Sequence, residues 1–98
     1  MEDLYQITNV ELYDEKDNEI ASEDFSSKLI VSDRFYDTME LASNNTKKTI
    51  LKQYLKNASN RELTDCEDGW IYFTISGLTL AVKTLILEPR EVEKNEVM

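Results

Sequence analysis

Between Asp68 and Pro89 the chain reads DGWIYFTISGLTLAVKTLILEP, with apolar and polar positions alternating on either side of Ser76-Gly77. With those two residues as a hairpin turn, Ile75 faces Leu78, Phe73 faces Leu80 and Ile71 faces Val82, so six apolar side chains share one face. The other face receives Thr74 with Thr79, Tyr72 with Ala81 and Trp70 with Lys83. A slip of one residue would exchange the two faces, so the pattern specifies the register. The hairpin spans 70–87, and its first face is the predicted core.

Upstream, LYQITNVELYDEKDNEI predicts a strand, a polar turn over Asp14–Asn18 and a return strand. Apolar parity changes between Tyr5/Ile7 and Val10/Leu12, which predicts a bulge near Thr8-Asn9. Lys28–Val31 reads as a short strand or an approach to a helix. Ser32 then caps a helix over about 33–42, with Phe35, Met39 and Ala42 on one side, Asp33 favouring the dipole and Ser43-Asn44-Asn45 breaking it. A second helix over about 46–58 takes Thr46 as N-cap and carries an apolar stripe of Ile50, Leu51, Tyr54, Leu55 and Ala58. A short strand is expected near Glu62–Thr64. Pro89 ends the last strand, and 89–98 reads as a charged, frayed tail after a single domain over 1–88. The fold class is α+β: an antiparallel sheet of about four to five strands with one or two helices packed on one face.

Ninety-eight residues suit one domain, and a chain of that size buries about 60–65% of its extended surface. The longest apolar run is the four residues Trp70–Phe73, too short for a membrane-crossing helix, and no membrane association is expected. A single cysteine, Cys66, and a start without a basic, apolar leader predict a cytoplasmic, reducing location. Charge changes the picture more. The net charge is −9, yet residues 1–40 hold twelve acids against three bases, 41–61 hold five bases and no acid, and 62–98 hold eight acids against three bases. An acidic molecule therefore carries one basic block: Lys47, Lys48, Lys52, Lys56 and Arg61.

Catalytic chemistry is poorly supplied. There is no histidine, which removes the commonest general base and metal ligand, and two glycines cannot build a phosphate loop. Cys66 stands between Asp65 and Glu67, whose charges raise a thiol pKa. Asp14–Glu19 lacks the glycine and distal glutamate of a calcium loop. Both that stretch and Asp65–Asp68 are expected as solvated hairpin turns. No cofactor, metal or enzymatic activity is expected.

Two features remain: the outer hairpin face with Trp70, Tyr72, Leu85 and Leu87, and the acids of the first forty residues. In size, acidity and missing catalytic residues the chain resembles the small acidic inhibitors of phages and mobile elements: anti-CRISPR proteins, uracil-DNA glycosylase inhibitors and immunity proteins against nuclease toxins. The resemblance implies a binding protein that inhibits or regulates a basic, nucleic-acid-binding partner by standing in for phosphates. The expected partner-binding residues are Asp14, Glu15, Asp17, Glu19, Glu23, Asp24, Trp70 and Tyr72. The alternative is an accessory subunit that homodimerises through the outer sheet face. Direct nucleic-acid binding through the 47–61 basic block ranks last, because the surrounding field repels phosphate.

Overall fold

The computed structural model describes residues 4–87, which form an α+β fold with one antiparallel sheet and two helices. The elements run β1 (Leu4–Tyr13), β2 (Glu19–Asp24), β3 (Val31–Ser32), α1 (Phe35–Asn45), α2 (Thr49–Ala58), β4 (Asp65–Glu67), β5 (Trp70–Ile75) and β6 (Leu78–Leu87). Across the sheet the order is β2-β1-β6-β5-β4, with the two-residue β3 paired to the first half of β1. Pro89 and the expected tail over 89–98 lie outside the described residues.

The β5–β6 hairpin takes the register that its alternation predicts, with all six pairs from Ile75 opposite Leu78 to Trp70 opposite Lys83. Its turn has φ of +52° at Ser76 and +81° at Gly77. Positive φ at both central positions is the mark of the type I′ turn that matches strand twist. Phe73, Ile75, Leu80 and Val82 are buried, and Ile71 and Leu78 pack partly buried at the margins.

The predicted bulge in β1 is present. Ile7 lies opposite Thr84 and Asn9 opposite Lys83, which leaves Thr8 as the extra residue. Its carbonyl accepts instead from the Phe25 N–H at 2.7 Å. One inserted residue shifts the parity, so Ile7, Val10 and Leu12 all reach the buried face. Beyond the bulge β1 pairs with β2, where a second irregularity between Leu12 and Tyr13 leaves Ile20 unpaired and exposed. At the other end Leu4 lies opposite Leu87, so the two ends of the described chain are sheet neighbours.

Both helices pack on the face carrying Val10, Leu12, Phe73 and Leu80, through Met39 and Ala42 of α1 and Leu51, Leu55 and Ala58 of α2. Phe25 and Ile30, which the sequence reading left out of the core, are buried with them.

Several helix details differ from expectation. Ser43-Asn44-Asn45 does not break α1, because its polar groups find partners: Ser43 Oγ donates to the Lys52 carbonyl at 2.9 Å, and Asn45 Nδ2 to the Leu41 carbonyl at 2.7 Å. Since α1 runs on, Thr46 becomes its C-cap rather than the N-cap of α2, and Lys48 opens α2 without a side-chain cap. At the start of α1, Arg34 takes the N-cap position. Ser32 lies two residues earlier, and Asp37 rather than Asp33 is the acid of the first turn. Ile50 is 36% exposed, outside the core stripe of Leu51, Leu55 and Ala58. The strand expected at Glu62–Thr64 lies at Asp65–Glu67.

Candidate protein-binding face

With both helices on one side of the sheet, no helix or strand among the described residues packs over the other side. Residues directly opposite on paired strands share a face. The composition of this open face therefore follows from the register. Trp70 lies between Glu67 of β4 and Lys83 of β6, and Tyr72 lies between Asp65 and Ala81. Across β6, Glu11 stands opposite Ala81 and Tyr13 opposite Thr79; in β2, Glu19 faces Tyr13 and Asp24 faces Asn9. The result is a strip of three half-buried rings (Tyr13, Tyr72 and Trp70) with Glu11, Glu19 and Asp24 along one margin and Asp65 and Glu67 along the other. Ala81, in the middle of this uncovered face, is only 2% exposed, so its long neighbours close over it.

The electrostatics follow from these neighbours. The Tyr13 hydroxyl donates to Glu11 Oε1 at 2.7 Å. That bond, then burial, then the charges of Glu11 and Glu19 push the phenol up to about 12 from an ordinary 10.0. Ser26 holds the Asp24 carboxyl below its ordinary range through its side chain and its backbone N–H, which donates to Oδ1 at 2.7 Å. Lys83 Nζ stands 5.5 Å from the centroid of the Trp70 ring and donates to the Asp68 carbonyl at 2.9 Å. Among the described residues the one ion pair within 4 Å is Arg34 with Asp37, so no described basic side chain neutralises Glu19, Asp65 or Glu67 at contact.

Of the residues singled out from the sequence, Glu19, Asp24, Trp70 and Tyr72 meet on this face. Asp14, Glu15 and Asp17 sit instead on the β1–β2 turn at one end of the sheet. There Asp14 Oδ1 accepts from the N–H groups of Lys16 at 2.8 Å and Asn18 at 2.9 Å. The bond from Asn18 leads the lowering of the Asp14 pKa. Glu15 reaches to the neighbouring hairpin turn, where a Cβ on Gly77 would stand 2.6 Å from its Oε1. Glu23, opposite Val10, turns to the helix side and accepts from Thr46 Oγ1 at 2.6 Å. Lys47, Lys48, Lys52, Lys56 and Arg61 are exposed in the helix layer, across the sheet from the aromatic strip, and Lys48 Nζ donates to the Ser22 carbonyl.

Four residues of the face went unread in the sequence: Glu11, Tyr13, Asp65 and Glu67. Strand parity after the bulge would have placed the first two there. The other two sit on β4, and their signal was Asp68-Gly69. That pair, with φ of +51° and +83°, joins Glu67 to Trp70 as a second type I′ hairpin. Asp65–Glu67 is thus strand, and only Asp68 of that acidic stretch is in the turn.

Among the described residues no three Cys, Asp or Glu side chains gather as metal ligands, and no helix is long and apolar enough to cross a membrane. Comparison with protein-family models, curated proteins and solved structures finds no match to this chain.

Proposed function

We propose that the protein is a small, non-enzymatic binding module of the cytoplasm whose outer sheet face docks onto a basic protein and inhibits or regulates it. A nucleic-acid-binding protein is the partner class that such a surface suits. One observation carries this reading: an uncovered strip of half-buried aromatic rings with carboxylates along both margins. Rings that are part buried at rest contribute contact area at small entropic cost, and Tyr and Trp dominate interface energetics for that reason. The carboxylates stand where a nucleic acid's phosphates would meet the partner's Lys and Arg side chains, so the two ligands compete for one surface. The basic helix layer, on the opposite side, keeps the molecule from docking the wrong way round.

The test is affinity capture and surface kinetics with three proteins: wild type, Glu11→Lys/Glu19→Lys/Glu67→Lys, and Lys52→Glu/Lys56→Glu. The captured protein should be basic. Its association rate should fall by one or more orders of magnitude in the face variant at low salt, and with rising salt in the wild type. The helix variant should bind at least as fast as the wild type. Binding indifferent to the face reversal would defeat the proposal, and a homodimer that buries Trp70 would support the accessory-subunit reading instead.

A further inference from the structure

The face repeats one local arrangement. Glu67 lies opposite Trp70, Asp65 opposite Tyr72 and Glu19 opposite Tyr13, so three aromatic rings each have a carboxylate as direct cross-strand partner. Such partners have Cβ atoms about 4.5–5.5 Å apart. Two of these rungs are consecutive on the β4–β5 ladder, two residues or roughly 6.8 Å apart along the strand. A π face beside a carboxylate offers two different attractions to one cation. A guanidinium can use both, because it is planar enough to stack on the ring and forked enough to bond a carboxylate through two N–H groups. An ammonium is a compact, strongly hydrated point charge and gains mainly the Coulomb part. The face already shows its taste for cations, since Lys83 Nζ stands 5.5 Å from the Trp70 centroid. That lysine is held by the Asp68 carbonyl, and no cation contacts Glu67, Asp65 or Glu19 within 4 Å among the described residues.

We infer that the outer face is a guanidinium-binding surface: the partner presents an arginine-rich segment, and its arginines enter the Trp70–Glu67, Tyr72–Asp65 and Tyr13–Glu19 rungs. This rests on the docking function proposed above and adds to it a chemical preference that net charge alone does not give.

Two ten-residue peptides of equal charge, one with four arginines and one with four lysines in an otherwise alanine sequence, distinguish the two ideas. The chain has one tryptophan, Trp70, so its fluorescence reads occupancy at the face itself. The arginine peptide should perturb that fluorescence and bind about tenfold more tightly than the lysine peptide. Glu67→Gln and Tyr72→Ala should each reduce arginine binding toward the lysine level while changing lysine binding by about twofold or less. Circular dichroism confirms that both variants are folded. Equal affinity for the two peptides overturns the guanidinium preference and leaves a basic partner standing. No salt-sensitive binding of either peptide overturns both, as does tighter binding of a single-stranded oligonucleotide or self-association that shields Trp70.

Discussion

Phe73 and Trp70 lie three residues apart on one strand, which places them on opposite faces of the sheet. Phe73 is sealed beneath the helices, with its ring stacked 6.4 Å from that of Phe35. Phe73→Ala therefore removes a buried ring and leaves a cavity, and it should lower unfolding stability by about 3–5 kcal/mol in urea titration. Trp70→Ala, on the uncovered face, should cost much less, while sharply weakening partner binding. Tyr13 makes a different prediction. Its folded pKa of about 12 exceeds the unfolded value of 10.0, so the folded state favours the protonated phenol. The stability this provides is complete below pH 10 and is lost as pH rises from 10 to 12, where the native state binds more protons than the unfolded one. Ultraviolet titration should show one tyrosine ionising late, and Tyr13→Phe should remove that step. A Tyr13 that ionises at its ordinary value would show the Glu11 bond to be absent in solution.

At the level of elements, what the sequence displayed and what it hid have different physical causes. The β5–β6 register and the Thr8 bulge were legible because burial imposes strict parity on Phe73, Leu80, Ile7 and Val10. Strand β4 was legible only as a short strand, expected three residues early at Glu62–Thr64. The reason is that Asp65, Cys66 and Glu67 are all exposed on an edge and carry no apolar alternation to fix its position. The helix ends were hidden for a third reason: Ser43 and Thr46 bond to Lys52 and Glu23, partners that local propensity does not see. Most of the candidate face followed the legible strands, through Glu11, Tyr13, Glu19, Asp24, Trp70 and Tyr72, and only Asp65 and Glu67 followed β4. The turns offer a direct check. Ser76 holds φ of +52°, a conformation asparagine tolerates better, so Ser76→Asn should raise stability by a few tenths of a kcal/mol. Gly77→Ala combines φ of +81° with a Cβ 2.6 Å from Glu15 Oε1. It should destabilise by about 1–2 kcal/mol, and adding Glu15→Ala should relieve only the contact and not the backbone strain. Thermal melts of the three variants decide this.

Across the described residues, charge is segregated more than it is compensated. Acids line the outer sheet face and the β1–β2 turn, bases follow α2, and the one ion pair among the described residues is exposed. A net charge of −9 opposes compaction by self-repulsion, and the face concentrates that repulsion on neighbouring strands. Salt should therefore act in opposite directions on the two properties of the protein. Moving from about 0.02 M to about 0.5 M sodium chloride should raise the melting temperature while slowing partner association, as the Debye length contracts from roughly 20 Å to roughly 4 Å. Calorimetry and surface kinetics on the same samples test the pair. A melting temperature that falls with salt would mean that favourable ion pairs, not carboxylate repulsion, dominate the folded state.

The pairing of Leu4 with Leu87 has a mechanical consequence. Tension applied through the two ends of the described chain meets the central β1–β6 ladder at its very first rung. The load falls on one hydrogen-bonded rung at a time, so the sheet opens like a zipper instead of resisting in shear. Because those two strands join the two halves of the sheet, their parting dismantles the platform on which the aromatic strip stands. A sheet so arranged can resist load across its strands and still be drawn apart by a modest pull on the two ends of the described chain.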